Sequence, residues 1–297
     1  MTYSIVARDA TNGDLGVAVQ SHYFSVGSIV TWAEAGVGVV ATQAFAEASY
    51  GPLGLDLMRG GKAAGDALRA LLTADEEADR RQVAMVDASG HGGVHTGNRC
   101  IAEAGHRTGD GYSCQANMML RNTVPDAMAS AFEATSGPLA DRLLAALDAA
   151  EAEGGDIRGK QSAAMLVVRG ERAPNTHAGR VLELRVEDHA EPLDELRRLV
   201  GVQRAYAGLA EAQQHLDAGA IGQAREVFER AQRGLGHNPE PSFWAGLRLA
   251  ATGEVGEAQR FLSRAYEDGD HWRELLRRLP AAGLFPADAD LLKRLGA

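Results

Sequence analysis

The stretch TYSIVARDATNGDLGVAVQS, residues 2–21, decides the fold. Two β-rich runs, YSIVAR (3–8) and LGVAVQS (15–21), flank Asn12-Gly13. That pair predicts a tight hairpin, because both central residues of such a turn take positive φ. Two more strand-like runs follow, VGSIVTW (26–32) and GVGVVATQ (36–43), so the chain opens on an antiparallel sheet. The period then changes. Residues 51–75 carry Leu53, Leu57, Ala64, Leu68 and Leu71 at helical spacing, broken at Gly60-Gly61, and predict two short helices. Strand character returns in RQVAMVDASG (81–90), GGVHTG (92–97) and YSCQANMML (112–120). A helical region broken near Ser136-Gly137-Pro138 fills 124–152. A late strand pair, QSAAMLVVRG (161–170) and RVLELRVED (180–188), precedes a helix from about residue 192. This order predicts an α+β domain over residues 1–200, a sheet core with helices on its outer faces.

The 297 residues are enough for one or two domains with a sizeable core. At 45% hydrophobic and 24% charged, the composition is that of a soluble globular protein. No apolar run reaches membrane-spanning length, and the start lacks the pattern of a signal peptide, so no membrane partner is expected. The net charge is -10, with the acidic excess in the first 200 residues, which argues against nucleic acid as a partner. Cys100 and Cys114 lack zinc-ligand spacing and are too few for a disulfide framework. A reducing cytoplasm is the expected location.

Residues 201–297 read as a separate helical domain with an internal repeat. LDAGAIGQAREVFERAQ (216–232) aligns with LAATGEVGEAQRFLSRAY (249–266) at an offset of 34 residues. Gly219 matches Gly253, Ala224 matches Ala258, Phe228 matches Leu262 and Ala231 matches Ala265. The period and the small residues resemble the tetratricopeptide repeat. Two readings stay open: an arm that docks a protein partner, or a helical extension that only completes the fold. A homodimer is the expected oligomer.

Several stretches together carry a resemblance: TYSIVARD, VGVVATQ, YGPLGLDLMRGG, RQVAMVDASG, HTGNRC, QANMM and LADRLLAALDAAEAEGGDIRGKQSAAMLVV. In this order, over residues 2 to about 200, they resemble the DUF1028 family, which is grouped with the N-terminal-nucleophile (Ntn) hydrolases. The resemblance implies a four-layer αββα sandwich. It also implies a chemistry, in which the side chain of the first residue attacks an amide carbonyl and that residue's α-amine acts as base.

In this chain the matching residue is Thr2, exposed once Met1 is removed. Two readings remain: Thr2 as nucleophile of an amidohydrolase acting on a small amide or peptide-like substrate, or Thr2 as an ordinary strand residue of a non-catalytic binding protein that has kept the fold. Ser21 and His22, at the end of the second strand run, stand where they can bond the amine or the substrate. Thr42, Gln43, Glu47 and Tyr50 lie where a strand passes into a helix and are candidate substrate contacts. Asn117, sharing a strand face with Gln115, is a candidate oxyanion donor. His91, His95 and His106 are close in sequence but lack the spacing of a zinc site; His95 is read as a hydrogen-bonding residue near the substrate, and neither metal nor organic cofactor is expected.

Overall fold

The computed structural model describes residues 2–235 and 238–297. The chain divides into two compact units, 1–199 and 200–297.

The first unit holds two antiparallel sheets. Strands β1 (Thr2–Arg8), β2 (Leu15–Ser21), β7 (Gly105–Gly109), β8 (Tyr112–Asn117), β9 (Ser162–Val168) and β10 (Arg180–Val186) form the larger, in the order β10-β9-β2-β1-β8-β7. Strands β3 (Thr31–Glu34), β4 (Gly38–Ala44), β5 (Arg81–Asp87) and β6 (Gly92–Thr96) form the smaller, in that order. Helices α1 (Tyr50–Arg59) and α2 (Ala64–Ala74) cover the smaller sheet; α3 (Val124–Ala134) and α4 (Leu139–Ala152) cover the larger. The result is the four-layer αββα arrangement.

Alternation along β1 shows why the layers form. Val6 packs between the sheets with Val17, Val19, Val39, Ala41, Val86 and Leu166, all buried. Its neighbours Ile5 and Ala7 point to the other face and are equally buried. A strand buried on both faces reads as a continuous apolar run, as β1 and β2 do. The buried polar side chains of β1, Thr2 and Ser4, fall on the inter-sheet face by period two.

Three expectations are corrected in detail. Asn12-Gly13 is not a two-residue turn: residues 9–14 form a longer loop in which only Gly13 takes positive φ, at 80°, while Asp9 Oδ1 accepts the Thr11 N–H and Asn12 Oδ1 that of Asp14. Residues 26–32 are not one strand, because Ser25, at φ 57°, opens a single 3-10 turn over Val26–Ser28 before β3 begins. The exposed edge strand β7, GHRTG, was not legible at all: it pairs with β8 through its backbone and buries no apolar side chain of its own.

Helix α5 (Pro192–Asp217) contains the point where the two units divide. The second unit continues with α6 (Ile221–Leu235), α7 (Glu240–Ala251), α8 (Val255–Tyr266), α9 (His271–Arg278) and α10 (Ala289–Arg294). Its repeat is repeated in the hydrogen bonds. Gly219 N–H donates to Leu216 O at 2.9 Å and Ala220 N–H to His215 O at 2.8 Å; Gly253 N–H donates to Ala250 O and Glu254 N–H to Leu249 O, both at 3.0 Å. The matched residues Ala224, Ala258, Phe228, Leu262, Ala231 and Ala265 are all buried in one core. Among the described residues no helix is long and apolar enough to cross a membrane.

Candidate active site

Thr2 begins β1 and is 4% exposed. It sits opposite Ser21 of β2 and Asn117 of β8, so the side chains of both neighbours share its face. The Thr2 hydroxyl donates to Ser21 Oγ at 3.1 Å. Across the gap between the sheets, Gln43 at the end of β4 donates Nε2–H to the Thr2 carbonyl at 3.2 Å, and Asn117 Nδ2 reaches the same oxygen at 3.3 Å.

These groups belong to a buried chain of amides and hydroxyls. Ser113 Oγ donates to Gln115 Oε1, Gln115 Nε2 to Ser4 Oγ at 2.6 Å, and Ser4 Oγ to Gln43 Oε1 at 2.6 Å. Gln43 Nε2 donates to Gln82 Oε1 at 2.7 Å, as does Asn117 Nδ2 at 2.9 Å. Gln82 Nε2 faces Thr96 Oγ1, Gly105 O and Ala116 O at 2.9–3.1 Å. Ser4, Gln43, Gln82, Gln115 and Asn117 are at most 1% exposed. Burying so many amides is tolerable only because they bond one another. They fix the Thr2 backbone from two sheets at once.

Beside Thr2 lies a cavity of about 310 Å³. Val26, Ile29, Val30 and Phe45 give it apolar walls; Tyr23, Gln43 and Arg81 supply polar groups. Arg81 is already committed. Its Nε–H donates to Asp75 Oδ2 at 2.8 Å and Nη1–H to the Phe45 carbonyl at 2.6 Å. The Arg81 guanidinium holds the Asp75 carboxyl down at about 2, and Asp75 in turn holds the Arg81 pKa up. The pair therefore stays ionised and mutually neutralised across the ordinary pH range, and the cavity offers little net charge to a ligand. The described non-glycine residues with positive φ are Ser25, Ala44 and Met118. Ala44 lines the cavity, Met118 follows Asn117, and Ser25 adjoins Val26. Such backbone conformations cluster where a fold over-determines a site.

The structure places the other expected residues as follows. Ser21 is with Thr2. The His22 ring Nδ1 lies 3.3 Å from the Lys160 carbonyl, and the His22 backbone N–H donates to Asp156 Oδ2 at 3.1 Å, so His22 braces the loop that carries Asp156 and Arg158. Asp156, 3% exposed, is paired with Arg158 at 2.8 Å. Glu47, Tyr50 and His95 are not among the residues that line the Thr2 cavity. Glu47 caps the turn into α1 by accepting the Ser49 N–H at 3.0 Å, which lowers its pKa. Tyr50 gives its hydroxyl to Asp75 at 3.0 Å; burial, then this bond, raises its pKa strongly. Both face a separate surface cleft with Leu53 and Leu71. His95 Nε2 bonds the Ala78 carbonyl at 2.7 Å. Thr42 gives its hydroxyl to the Glu47 carbonyl. Asn117, expected as an oxyanion donor, directs its Nδ2 to Gln82 Oε1 and to the Thr2 carbonyl. Removal of Met1 concerns a residue outside the described ones.

Sequence reading missed Ser4, Gln82 and Arg81. The signal for the first two was present, a lone polar residue inside an otherwise apolar strand run. Arg81 carried none, because a single Arg at a strand start is ordinary.

Comparison with known proteins agrees with the fold. A family model described as a family of unknown function (DUF1028) matches residues 2–196. The crystal structure of protein SPO2555 from Silicibacter pomeroyi, assigned to the same family model, is 32% identical with a TM-score of 0.60, covering 67% of this chain and 87% of that one. Anbu (ancestral beta-subunit) from Yersinia bercovieri is 12% identical with a TM-score of 0.34 over 67% of this chain and 93% of that one, a likeness too remote to carry an argument. No curated protein matches. By the matched span and the likeness to a solved member, the chain belongs to the DUF1028 family.

Proposed function

We propose that the first unit is an Ntn-type amidohydrolase with Thr2, freed by removal of Met1, as its nucleophile. The observation that carries this reading is the placement of Thr2. The residue after Met1 is held by two sheets, it lines a cavity, and its carbonyl is clamped by Gln43 and Asn117. An ordinary first strand residue needs no such support.

In this mechanism Thr2 Oγ attacks the amide carbonyl carbon and its proton passes to the Thr2 α-amine. The tetrahedral intermediate collapses, the C–N bond breaks, and the leaving amine takes that proton. Water then attacks the Thr2 ester, giving a proton to the same amine, and the acid departs as Oγ is reprotonated. Ser21 Oγ orients the hydroxyl. The acyl group fills the space walled by Val26, Ile29, Val30 and Phe45, and with Arg81 neutralised by Asp75 it is uncharged and apolar. The helical unit is read as a tetratricopeptide-like pair of repeats, supported by the 34-residue recurrence of the same turn bonds.

The test is hydrolysis of a panel of N-acyl amides by wild type and Thr2→Ala. Release of amine by the wild type, absent in a Thr2→Ala variant whose melting temperature falls by only a few degrees, is expected. Equal release by both would end the proposal.

A further inference from the structure

Asn117 carries the one loose end in the network around Thr2. Its Oδ1 is buried, in a residue 1% exposed, and has no hydrogen-bond partner. Every other carboxamide atom in the Gln43–Gln82–Gln115–Asn117 group is engaged. Buried acceptors are normally satisfied, so an orphan beside a reacting group calls for a donor.

The orientation of the Asn117 amide is fixed by its surroundings. Gln82 Nε2 faces three acceptors, which forces Gln82 Oε1 toward Asn117 and Gln43. The Thr2 carbonyl is a second acceptor on that side. Turning the Asn117 amide over would set its oxygen against both. Nδ2 therefore stays where it is, and Oδ1 remains an acceptor without a donor.

The Thr2 nitrogen, on the residue paired with Asn117, is a source of new donors. Arg8 N–H bonds Gly111 O at 2.8 Å, which marks that cross-strand position as a hydrogen-bonded pair. Such pairs recur every second residue in an antiparallel ladder. Counting back through Val6 and Ser4 reaches Thr2 opposite Asn117, so the nitrogen and carbonyl of Thr2 both face β8. While Met1 is attached, that nitrogen carries one N–H. Removal of Met1 turns it into an amine with two or three, on the β8 side, where Asn117 Oδ1 is open.

We infer that Asn117 Oδ1 accepts a hydrogen bond from the Thr2 α-amine and so positions the general base against the Thr2 hydroxyl. The inference rests on the proposed function for its purpose but not for its measurement. Asn117 acts here as a positioning residue, with Nδ2 holding the Thr2 carbonyl and Oδ1 its amine.

The test is the pKa of the Thr2 α-amine, read by NMR titration of threonine-labelled, Met1-processed full chain. A hydrogen bond from the charged amine favours that form, so Asn117→Ala lowers this pKa. Asn117→Asp places a carboxylate beside the amine and raises it by about one unit or more. A merely structural Asn117 leaves this pKa unchanged in Asn117→Ala, whereas a carboxylate raises it in either case, so the alanine variant decides. Opposite shifts in the two variants are the expected result; an amine pKa equal to wild type in Asn117→Ala overturns the inference. Should Asn117→Asp fail to fold, the Ala variant and Asn117→Ser decide it by the same downward shift. If the shifts appear but Thr2 takes no acyl group from a β-lactone, the positioning stands and the nucleophile reading fails. A chain that keeps Met1 in the cell overturns both.

Discussion

Gln82 of the smaller sheet accepts the Nδ2–H of Asn117 of the larger sheet at 2.9 Å, both side chains being fully buried. This bond ties the two sheets beside Thr2, and Gln82 also serves Gln43 and Thr96.

Gln82→Leu keeps the volume and removes the polar groups. It leaves Asn117 Nδ2, Gln43 Nε2 and the Ala116 carbonyl short of partners. With each buried loss costing about 1–3 kcal/mol, the first unit loses about 3 kcal/mol or more of stability. Denaturant unfolding checks this: the midpoint falls clearly while the m-value is kept. An unchanged midpoint would mean water replaces the network.

Thr2→Ser keeps a hydroxyl and Thr2→Ala does not. Thr2→Ala loses the bond to Ser21 and a buried methyl, a stability cost of about 1–2 kcal/mol. Covalent labelling by a β-lactone, followed by intact mass, should persist in Thr2→Ser and vanish in Thr2→Ala. Labelling retained in the alanine variant would move the nucleophile elsewhere.

The Asp75–Arg81 pair sets a pH dependence. Asp75 is held at about 2, below its ordinary value, chiefly by its hydrogen bond to Arg81. A carboxyl depressed on folding stabilises above its unfolded pKa, and that contribution is lost as pH falls through the folded value. Asp75 thus contributes on the order of 1 kcal/mol at neutral pH, fading between about pH 4 and 2. Arg81→Met removes the contribution, so the stability difference between wild type and variant narrows over that window. A difference that stays constant from pH 6 to 2 would deny the pair this role.

Gly219 and Gly253 take φ of 72° and 89° at equivalent turns of the helical repeat. Gly253→Ala forces a side chain into a left-handed conformation and costs about 1 kcal/mol. Gly219→Ala should cost a similar amount. Thermal unfolding of the two variants checks the equivalence; a large effect at one site and none at the other would break it.

Much of this was legible in the sequence, for physical reasons. The apolar runs of β1, β2, β5 and β9 are buried on both faces, so hydrophobicity alone marks them. Thr2, Ser21, Gln43 and Asn117 could be picked out because each is polar at the end of such a run, and the fold brings all four together. Glu47, Tyr50 and His95 looked equally suitable in sequence. Which way a loop side chain turns depends on partners far along the chain, such as Asp75 for Tyr50 and Ala78 for His95. Gln82 was marked as a polar residue in an apolar run, but its partners, like the role of Arg81, arise only when β5 lies beside β4 and opposite β8.

The central claim is that Thr2 is a free N-terminal nucleophile. The most direct measurement is mass spectrometry of the N-terminal peptide from untagged protein treated with an N-acyl β-lactone. The account predicts a peptide that begins at Thr2 and carries the acyl group on its side chain. A peptide that still begins with Met1, or begins at Thr2 but is unmodified, would contradict it.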